Sequence, residues 1–221
     1  MDASGVQFGW MAAIAYLLMS NVLLVRGLRR RHSTRFGPAN LVTAVRSTLV
    51  GVITGLVAAS FTMPIPTVLL LTLVVPALAL DAVDGWVARR TGTSTDLGAR
   101  FDMEVDAFLL LVLSAYVAQT MGPWVLAIGL MRYAFVAAGW ALPWLRRRLP
   151  PRYWRKVAAA AQGIVLAIAA SGVLPQIDAA LVAVALALLV ESFGRDVVWL
   201  ACRWEGAAPD IVPSSSTIGR S

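Results

Sequence analysis

Four aspartates lie at helical spacing within a 26-residue stretch of the chain. Asp81 and Asp84 are three residues apart, and Asp102 and Asp106 are four residues apart. Residues three or four positions apart share one face of a helix, so each pair predicts an acidic stripe. Carboxylates this close cannot all stay ionised without a compensating cation. Oxygen ligands with no nearby His or Cys favour Mg²⁺, Mn²⁺ or Ca²⁺ over zinc.

The chemistry that such a site predicts is displacement at phosphorus. Two divalent ions about 3.5–4 Å apart are a known arrangement for catalysing in-line displacement at phosphorus. Gly85, Ala88 and Gly98 add little bulk beside the acids, so a ligand can approach closely. Arg89 is always charged and suits a phosphate. The alternative is a set of interhelical ion pairs, in which Arg89 and Arg90 balance the acids and the small residues serve helix packing.

The acids lie in a chain with the composition of a membrane protein. Of its 221 residues, 59% are hydrophobic and 14% are charged, whereas a soluble domain has about a quarter charged residues. Seven apolar stretches approach the roughly 20 residues that cross a bilayer: Val6–Val25, Leu41–Ser60, Thr67–Val87, Val105–Met121, Trp124–Leu145, Val157–Leu174 and Ala179–Cys202. We therefore expect an all-α membrane protein, with a six-helix transmembrane core and an extra N-terminal transmembrane or interfacial helix.

The distribution of basic residues predicts the orientation. Arginines and lysines cluster in alternate connections, and the connections between those clusters carry none. By the positive-inside rule, the basic connections and the acidic site are expected at the cytoplasmic face if the first stretch spans with its N-terminus outside. We expect a multi-pass protein of the bacterial plasma membrane. The net charge of +7 then suits anionic membrane lipids as partners. Nucleic-acid binding is not expected, because no soluble basic domain is present to carry it.

The segment from Asp81 to Asp106 resembles the signature of the CDP-alcohol phosphatidyltransferase family. It has the pattern D-x2-D-G-x2-A-R-x8-G-x3-D-x3-D, with every signature position filled. The upstream segment Pro38–Arg46 is similar to the one that opens the family's first core helix. We accordingly divide the chain into an N-terminal apolar helix with a basic linker (1–36), a CDP-alcohol phosphatidyltransferase membrane domain (37–205) and a disordered tail (206–221).

The resemblance implies an enzyme of phospholipid biosynthesis. It would move the phosphatidyl group of CDP-diacylglycerol to a small polar alcohol and release CMP. The metal ligands would be Asp81, Asp84, Asp102 and Asp106, holding two Mg²⁺ or Mn²⁺ ions, and Asp106 would also be the catalytic base. The resemblance also implies a homodimer. The residues expected to bind the CDP-lipid are Asn40, Thr43, Gly85, Ala88, Arg89, Thr95 and Gly98. For Asn40, Thr43 and Thr95, helix capping or loop hydrogen bonds are an alternative.

Basic residues outside the signature are candidates for acceptor binding. Arg132 lies within an apolar stretch, where an unpaired arginine is costly, so we expect it to face an acid or a phosphate. Arg195 is the second candidate, although Glu191 or Asp196 could simply pair with it. Arg46 either belongs to the site or extends to the membrane interface.

The identity of the acceptor stays open. Arginines in the pocket would suit a phosphorylated acceptor such as inositol phosphate or glycerol 3-phosphate. Met103 and Ala107 stand where phosphatidylglycerophosphate synthases often have proline and lysine, which argues against glycerol 3-phosphate. The alternative class of protein is a cation transporter or channel that uses the clustered carboxylates. That alternative does not account for the small residues and Arg89 at signature positions.

Overall fold

The computed structural model describes Met11 and residues 38–91, 96–142 and 153–205, with side chains described for 45–81, 83, 102–142 and 157–202. In these ranges the chain forms six α-helices, a 3-10 turn at Pro123–Val125 and no strand. The helices are α1 (Pro38–Ser60), α2 (Thr67–Thr91), α3 (Asp96–Met121), α4 (Leu126–Ala141), α5 (Tyr153–Ser171) and α6 (Asp178–Glu205). The predicted all-α class is confirmed. The expected N-terminal helix, apart from Met11, and the expected disordered tail lie outside the described residues.

The ends of the helices follow from glycine and proline. Pro64 and Pro66 lie in the connection before α2, where proline's fixed φ and missing N–H do not interrupt a helix. Gly122 follows α3 with a φ of 98°, and Gly172 follows α5 with a φ of 63°. These positive φ values favour glycine, which has no Cβ to clash with the backbone. The Gly122 N–H also donates to the Ala118 carbonyl at 3.0 Å and so closes the last turn of α3.

Helix α3 is central to the bundle. It packs against α1, α4 and α5, while α1 also packs against α2, and α5 against α2 and α6. The core between these helices is aliphatic, and its fully buried members include Val50, Ile53, Leu70, Val74, Leu113, Val117, Leu166 and Val182. Because α1 touches both α2 and α3, side chains on its inner face can bridge the two helices that carry the predicted acidic stripes.

The outer surface of the described bundle is also apolar. Large hydrophobic side chains are exposed on several helices, among them Val68, Trp140, Val184 and Val198. Exposed apolar surface of this extent would be costly in water, but it matches the hydrocarbon of a bilayer. By length and composition, Asp102–Met121 and Pro123–Ala141 can each cross a membrane, and Val45–Ser60, Thr67–Asp81 and Val157–Ser171 are shorter apolar helices. The six-helix transmembrane core stays a prediction.

Helices α3 and α4 approach each other closely at Gly129. A Cβ added to Gly129 would lie 3.0 Å from Leu111 Cβ and closer still to Leu111 Cα, which is backbone and cannot rotate away. We expect Gly129→Ala to lower the free energy of unfolding by about 1–3 kcal/mol through overpacking. The measurement is the apparent melting temperature in detergent.

The matched control is Gly194→Ala in α6, where an added Cβ meets no atom within 4 Å. This variant should be neutral or more stable by up to about 1 kcal/mol, because alanine favours helix more than glycine does. An unchanged melting temperature for Gly129→Ala would contradict the close approach of α3 and α4.

Candidate functional site

A buried arginine on α1 lies between three of the predicted aspartates. Arg46 Nη1 donates to Asp81 Oδ1 at 2.8 Å, and Nη2 donates to Asp106 Oδ1 at 2.5 Å. Nη1 also lies 2.6 Å from Asp102 Oδ1, and Nη2 donates to the Asp102 carbonyl at 3.2 Å. The Arg46 side chain is 0% exposed, whereas the three carboxylates are 28–40% exposed. The guanidinium therefore forms the inner wall of the site, and the carboxylates form its open side.

The helical framework explains this convergence. Asp102 and Asp106 are one turn apart on α3 and so share a face, and Asp81 comes from α2. Arg46 reaches both helices because a guanidinium presents several donors in a fixed planar fork. Charge-assisted hydrogen bonds of this kind are shorter and stronger than neutral ones. One side chain of α1 thus links the acidic positions of α2 and α3.

The same three carboxylates are suited to hold a divalent cation. One oxygen from each of Asp81, Asp102 and Asp106 lies within 4.8 Å of the others. When ionised, three carboxylates and the Arg46 guanidinium carry a net charge of −2, which one divalent ion neutralises. The donors are all oxygen, as Mg²⁺ and Mn²⁺ prefer. Asp84 follows Asp81 by three residues on α2 and therefore belongs to the same helix face, but its side chain lies outside the described residues.

Most of the predicted CDP-lipid residues are placed only by their helices. Asn40 and Thr43 lie in the first turns of α1, the positions of Gly85, Ala88 and Arg89 lie in the last turns of α2, and Gly98 lies in the first turn of α3. Their side-chain surroundings are outside the described residues, and so is Thr95 altogether. These assignments stay predictions.

The two arginines predicted to bind the acceptor, Arg132 and Arg195, each pair with a glutamate. Arg132 on α4 pairs with Glu104 on α3, and its Nε is buried with no hydrogen-bond partner among the described residues. Arg195 pairs with Glu191 one turn earlier on α6, and its side chain is 64% exposed. Arg132 thus lies between helices, while Arg195 lies on the outside of its own helix.

A cavity of about 230 Å³ extends from the carboxylate cluster into the bundle between α3, α4, α5 and α6. Its polar lining residues are Asp106, Arg132, Ser192 and Asp196. Phe135 and Phe193 form an apolar part of the wall, with ring centroids 5.3 Å apart in an edge-to-face arrangement. Asp106 therefore belongs both to the cluster of three carboxylates and to the lining of this cavity.

The comparison with protein-family models decides the assignment. The model of the CDP-alcohol phosphatidyltransferase family matches residues 36–191, which include α1, the three clustered aspartates and the cavity residues as far as Leu189. The chain belongs to this family. No curated protein and no solved structure matches the chain significantly. As a CDP-alcohol phosphatidyltransferase, it belongs to integral membrane enzymes that depend on divalent metal and transfer a phosphatidyl group from a CDP-alcohol to an acceptor.

The central position of Arg46 is the feature that sequence reasoning left undecided. The sequence does contain a feature that could have predicted this position: Arg46 is the only charged residue of α1. An arginine buried in an apolar helix needs a counter-charge, and α1 contains no acid that could supply one. The partner had to come from another helix, and the acidic stripes of α2 and α3 were the strongest candidates.

We expect Arg46→Met to destabilise the metal-free phosphatidyltransferase by roughly 3 kcal/mol, because the carboxylates lose a buried counter-charge. Mg²⁺ should restore much of this loss, since it supplies positive charge to the same oxygens. The measurement is the apparent melting temperature in chelator and in Mg²⁺.

Arg46→Lys is the matched control for this experiment. It keeps the positive charge but not the planar fork, so it should lose less stability in chelator than Arg46→Met. Equal losses for Arg46→Met with and without Mg²⁺ would show that Arg46 acts through packing alone.

Proposed function

We propose that this phosphatidyltransferase moves the phosphatidyl group of CDP-diacylglycerol to a polar alcohol and releases CMP. The observation that carries the proposal is the convergence of Asp81, Asp102 and Asp106 within 4.8 Å, inside the region matched by the family. A cavity beside Asp106 provides space for the acceptor. The exposed apolar surfaces of the helices would allow the acyl chains of the donor to stay in the bilayer.

The metal ligands in this proposal are Asp81, Asp102 and Asp106, together with Asp84 by its position on α2. They would hold Mg²⁺ or Mn²⁺, two ions in all. When bound, the ions would neutralise charge on the diphosphate of the donor. The proposed CDP-lipid contacts are the signature residues Gly85, Ala88, Arg89 and Gly98, with Asn40, Thr43 and Thr95 beside them.

Asp106 is the proposed catalytic base. Its carboxylate accepts the proton of the acceptor hydroxyl, and the hydroxyl oxygen attacks the phosphorus that carries diacylglycerol. The bond from that phosphorus to the bridging oxygen breaks, and CMP leaves with the electron pair. Arg46 holds Asp106 Oδ1 at 2.5 Å, which fixes the orientation of the carboxylate toward the cavity. General-base catalysis requires such positioning of the base relative to the proton it removes.

The cavity supports Arg132 more than Arg195 as an acceptor-binding residue. Arg132 lines the cavity together with Asp106, and its guanidinium could bind the phosphate of a phosphorylated acceptor such as inositol phosphate or glycerol 3-phosphate. Arg195 is exposed and paired with Glu191; its role in acceptor binding stays a prediction.

We also propose that the enzyme is a homodimer of the bacterial plasma membrane with its active site at the cytoplasmic face. The orientation is supported by the clusters of Arg and Lys in alternate connections.

The reaction is tested by CMP release from purified enzyme in lipid, with CDP-diacylglycerol, Mg²⁺ and a panel of alcohols. We expect CMP release that depends on one alcohol and stops on chelation. Asp102→Asn should lower the rate at least 100-fold, because it removes a charged oxygen ligand from the cluster. Glu191→Gln, which also removes one acid but on the exposed face of α6, should keep the rate within about twofold.

Two negative results lead to different conclusions. Binding of CDP-diacylglycerol without turnover would mean that the panel lacked the acceptor. Failure to bind CDP-diacylglycerol would contradict the proposed reaction. It would favour the alternative function, a cation transporter or channel.

The acceptor assignment is tested by Arg132→Met. If Arg132 binds the acceptor, the KM for the acceptor should rise at least tenfold, while the KM for CDP-diacylglycerol stays within about twofold. Arg195→Met should change the acceptor KM less, because Arg195 lies outside the cavity lining. A parallel rise in both KM values for Arg132→Met would indicate a general structural role for its pair with Glu104.

A further inference from the structure

A second polar pocket lies at the opposite end of the bundle from Arg46. It has a volume of about 400 Å³ and is formed by the start of α2, the ends of α3 and α5 and the start of α6. We call it the distal pocket; its polar lining residues are Thr67, Tyr116, Thr120, Ser171 and Asp178. Tyr116 lies ten residues beyond Asp106 on α3, roughly 15 Å along the helix. The distal pocket is therefore separate from the metal-binding cluster and its cavity.

The distal pocket contains a buried carboxylate. Asp178 is 2% exposed, and its Oδ1 has no hydrogen-bond partner among the described residues. As the first residue of α6, it benefits from the positive end of the helix dipole. A dipole of this kind contributes little compared with the cost of burying a carboxylate oxygen such as Asp178 Oδ1 without a specific partner. A positively charged ligand in the pocket would supply that partner.

The neighbouring hydroxyls also present acceptors to the pocket. Ser171 Oγ donates to the Ile168 carbonyl at 2.6 Å, and Thr120 Oγ1 donates to the Val117 carbonyl at 3.0 Å. Ser171 Oγ also accepts from the Val173 N–H at 3.2 Å. Because the protons of both hydroxyls are used in these bonds, each oxygen has lone-pair capacity left to accept from a ligand. Hydrogen-bond donors on a ligand could therefore meet these lone pairs, and positive charge on it would complement Asp178.

The lining favours an organic ammonium over a metal ion. Among the described residues, the group of acids close enough to share a metal is Asp81, Asp102 and Asp106, and Asp178 is not part of it. A divalent ion would thus find a single carboxylate where it usually takes several charged oxygens. The pocket is also lined by apolar Val117, Met121 and Ala169 and by the Tyr116 ring. Aliphatic contacts suit the carbon chain of an amine, and an aromatic ring attracts its cationic group.

We propose that the distal pocket binds the ammonium group of a small amine, with Asp178 as its counter-ion. The amine is either free in solution, like ethanolamine, or the headgroup of a phospholipid, like phosphatidylethanolamine. The pocket lies where four helices begin or end, which is the level of lipid headgroups in a spanning bundle. This site is independent of the transfer reaction.

The experiment measures the apparent melting temperature of the full chain at constant ionic strength. One arm titrates ethanolamine into detergent-purified protein. The other arm compares phosphatidylglycerol nanodiscs that contain phosphatidylethanolamine with nanodiscs that contain the same lipid acetylated at its amine. We expect the amine to raise the melting temperature and the acetylated lipid not to do so. Asp178→Asn should weaken the apparent affinity at least tenfold, while Glu191→Gln, which removes an exposed acid of the same helix, should leave it unchanged.

Each outcome is decisive. A response to the lipid alone identifies a headgroup site, a response to ethanolamine alone identifies a soluble amine, and a response to both identifies the ammonium group whatever its source. The proposal is overturned if no amine stabilises the protein, if Asp178→Asn responds like the natural chain, or if Na⁺ or Ca²⁺ stabilises it equally. Should Asp178→Asn not fold, Tyr116→Phe and Tyr116→Leu replace it; an unchanged response in both would overturn the proposal.

Discussion

The contact between the Arg46 guanidinium and three carboxylates is the interaction on which the active end of this protein depends. Three acids from two helices repel one another, and the repulsion is strong where water is scarce. A fully buried guanidinium offsets part of that charge and connects α1 to α2 and α3 at the same point. The remaining charge of −2 suits the cluster to hold a divalent cation. A single side chain thus contributes to helix packing and to the electrostatics of the site.

Helix α3 connects the functional regions of the molecule. Its first turns carry Asp102 and Asp106, its middle carries the buried core residue Leu113, and its last turns carry Tyr116 and Thr120 in the distal pocket. The clustered carboxylates and the distal pocket lie toward the two ends of the bundle, and the core between them is mainly aliphatic, with Ser114 and Gln162 buried within it. This distribution is what a bilayer imposes, because polar groups are least costly near water and headgroups.

Arg46, Arg132 and Arg195 differ in how deeply they are buried and in how many acids they contact. Arg195 and Glu191 pair on an exposed helix face, where an ion pair contributes little energy. Arg132 pairs with Glu104 beside the cavity, and its buried Nε has no hydrogen-bond partner among the described residues, so one of its donors is left for a ligand. Arg46 is entirely enclosed and faces three acids. Burial and partner number, more than the presence of charge, distinguish the arginine of the active site from the one that pairs on the outside.

The sequence by itself determined the helical class, the positions of the described helices and the family. These depend on hydrophobic stretches, on glycine and proline at helix ends and on residue spacing along one chain, all of which are local. The convergence of Asp81 with Asp102 and Asp106 also followed, because helical spacing and a short connection limit how two stripes can meet. Only the tertiary structure decided that Arg46 points inward, that Arg132 meets Glu104 and that Asp178 is buried in a pocket that Tyr116 also lines. Each of these depends on which helices touch and at what height, and side-chain periodicity within one helix does not specify which side chain of a neighbouring helix will be met.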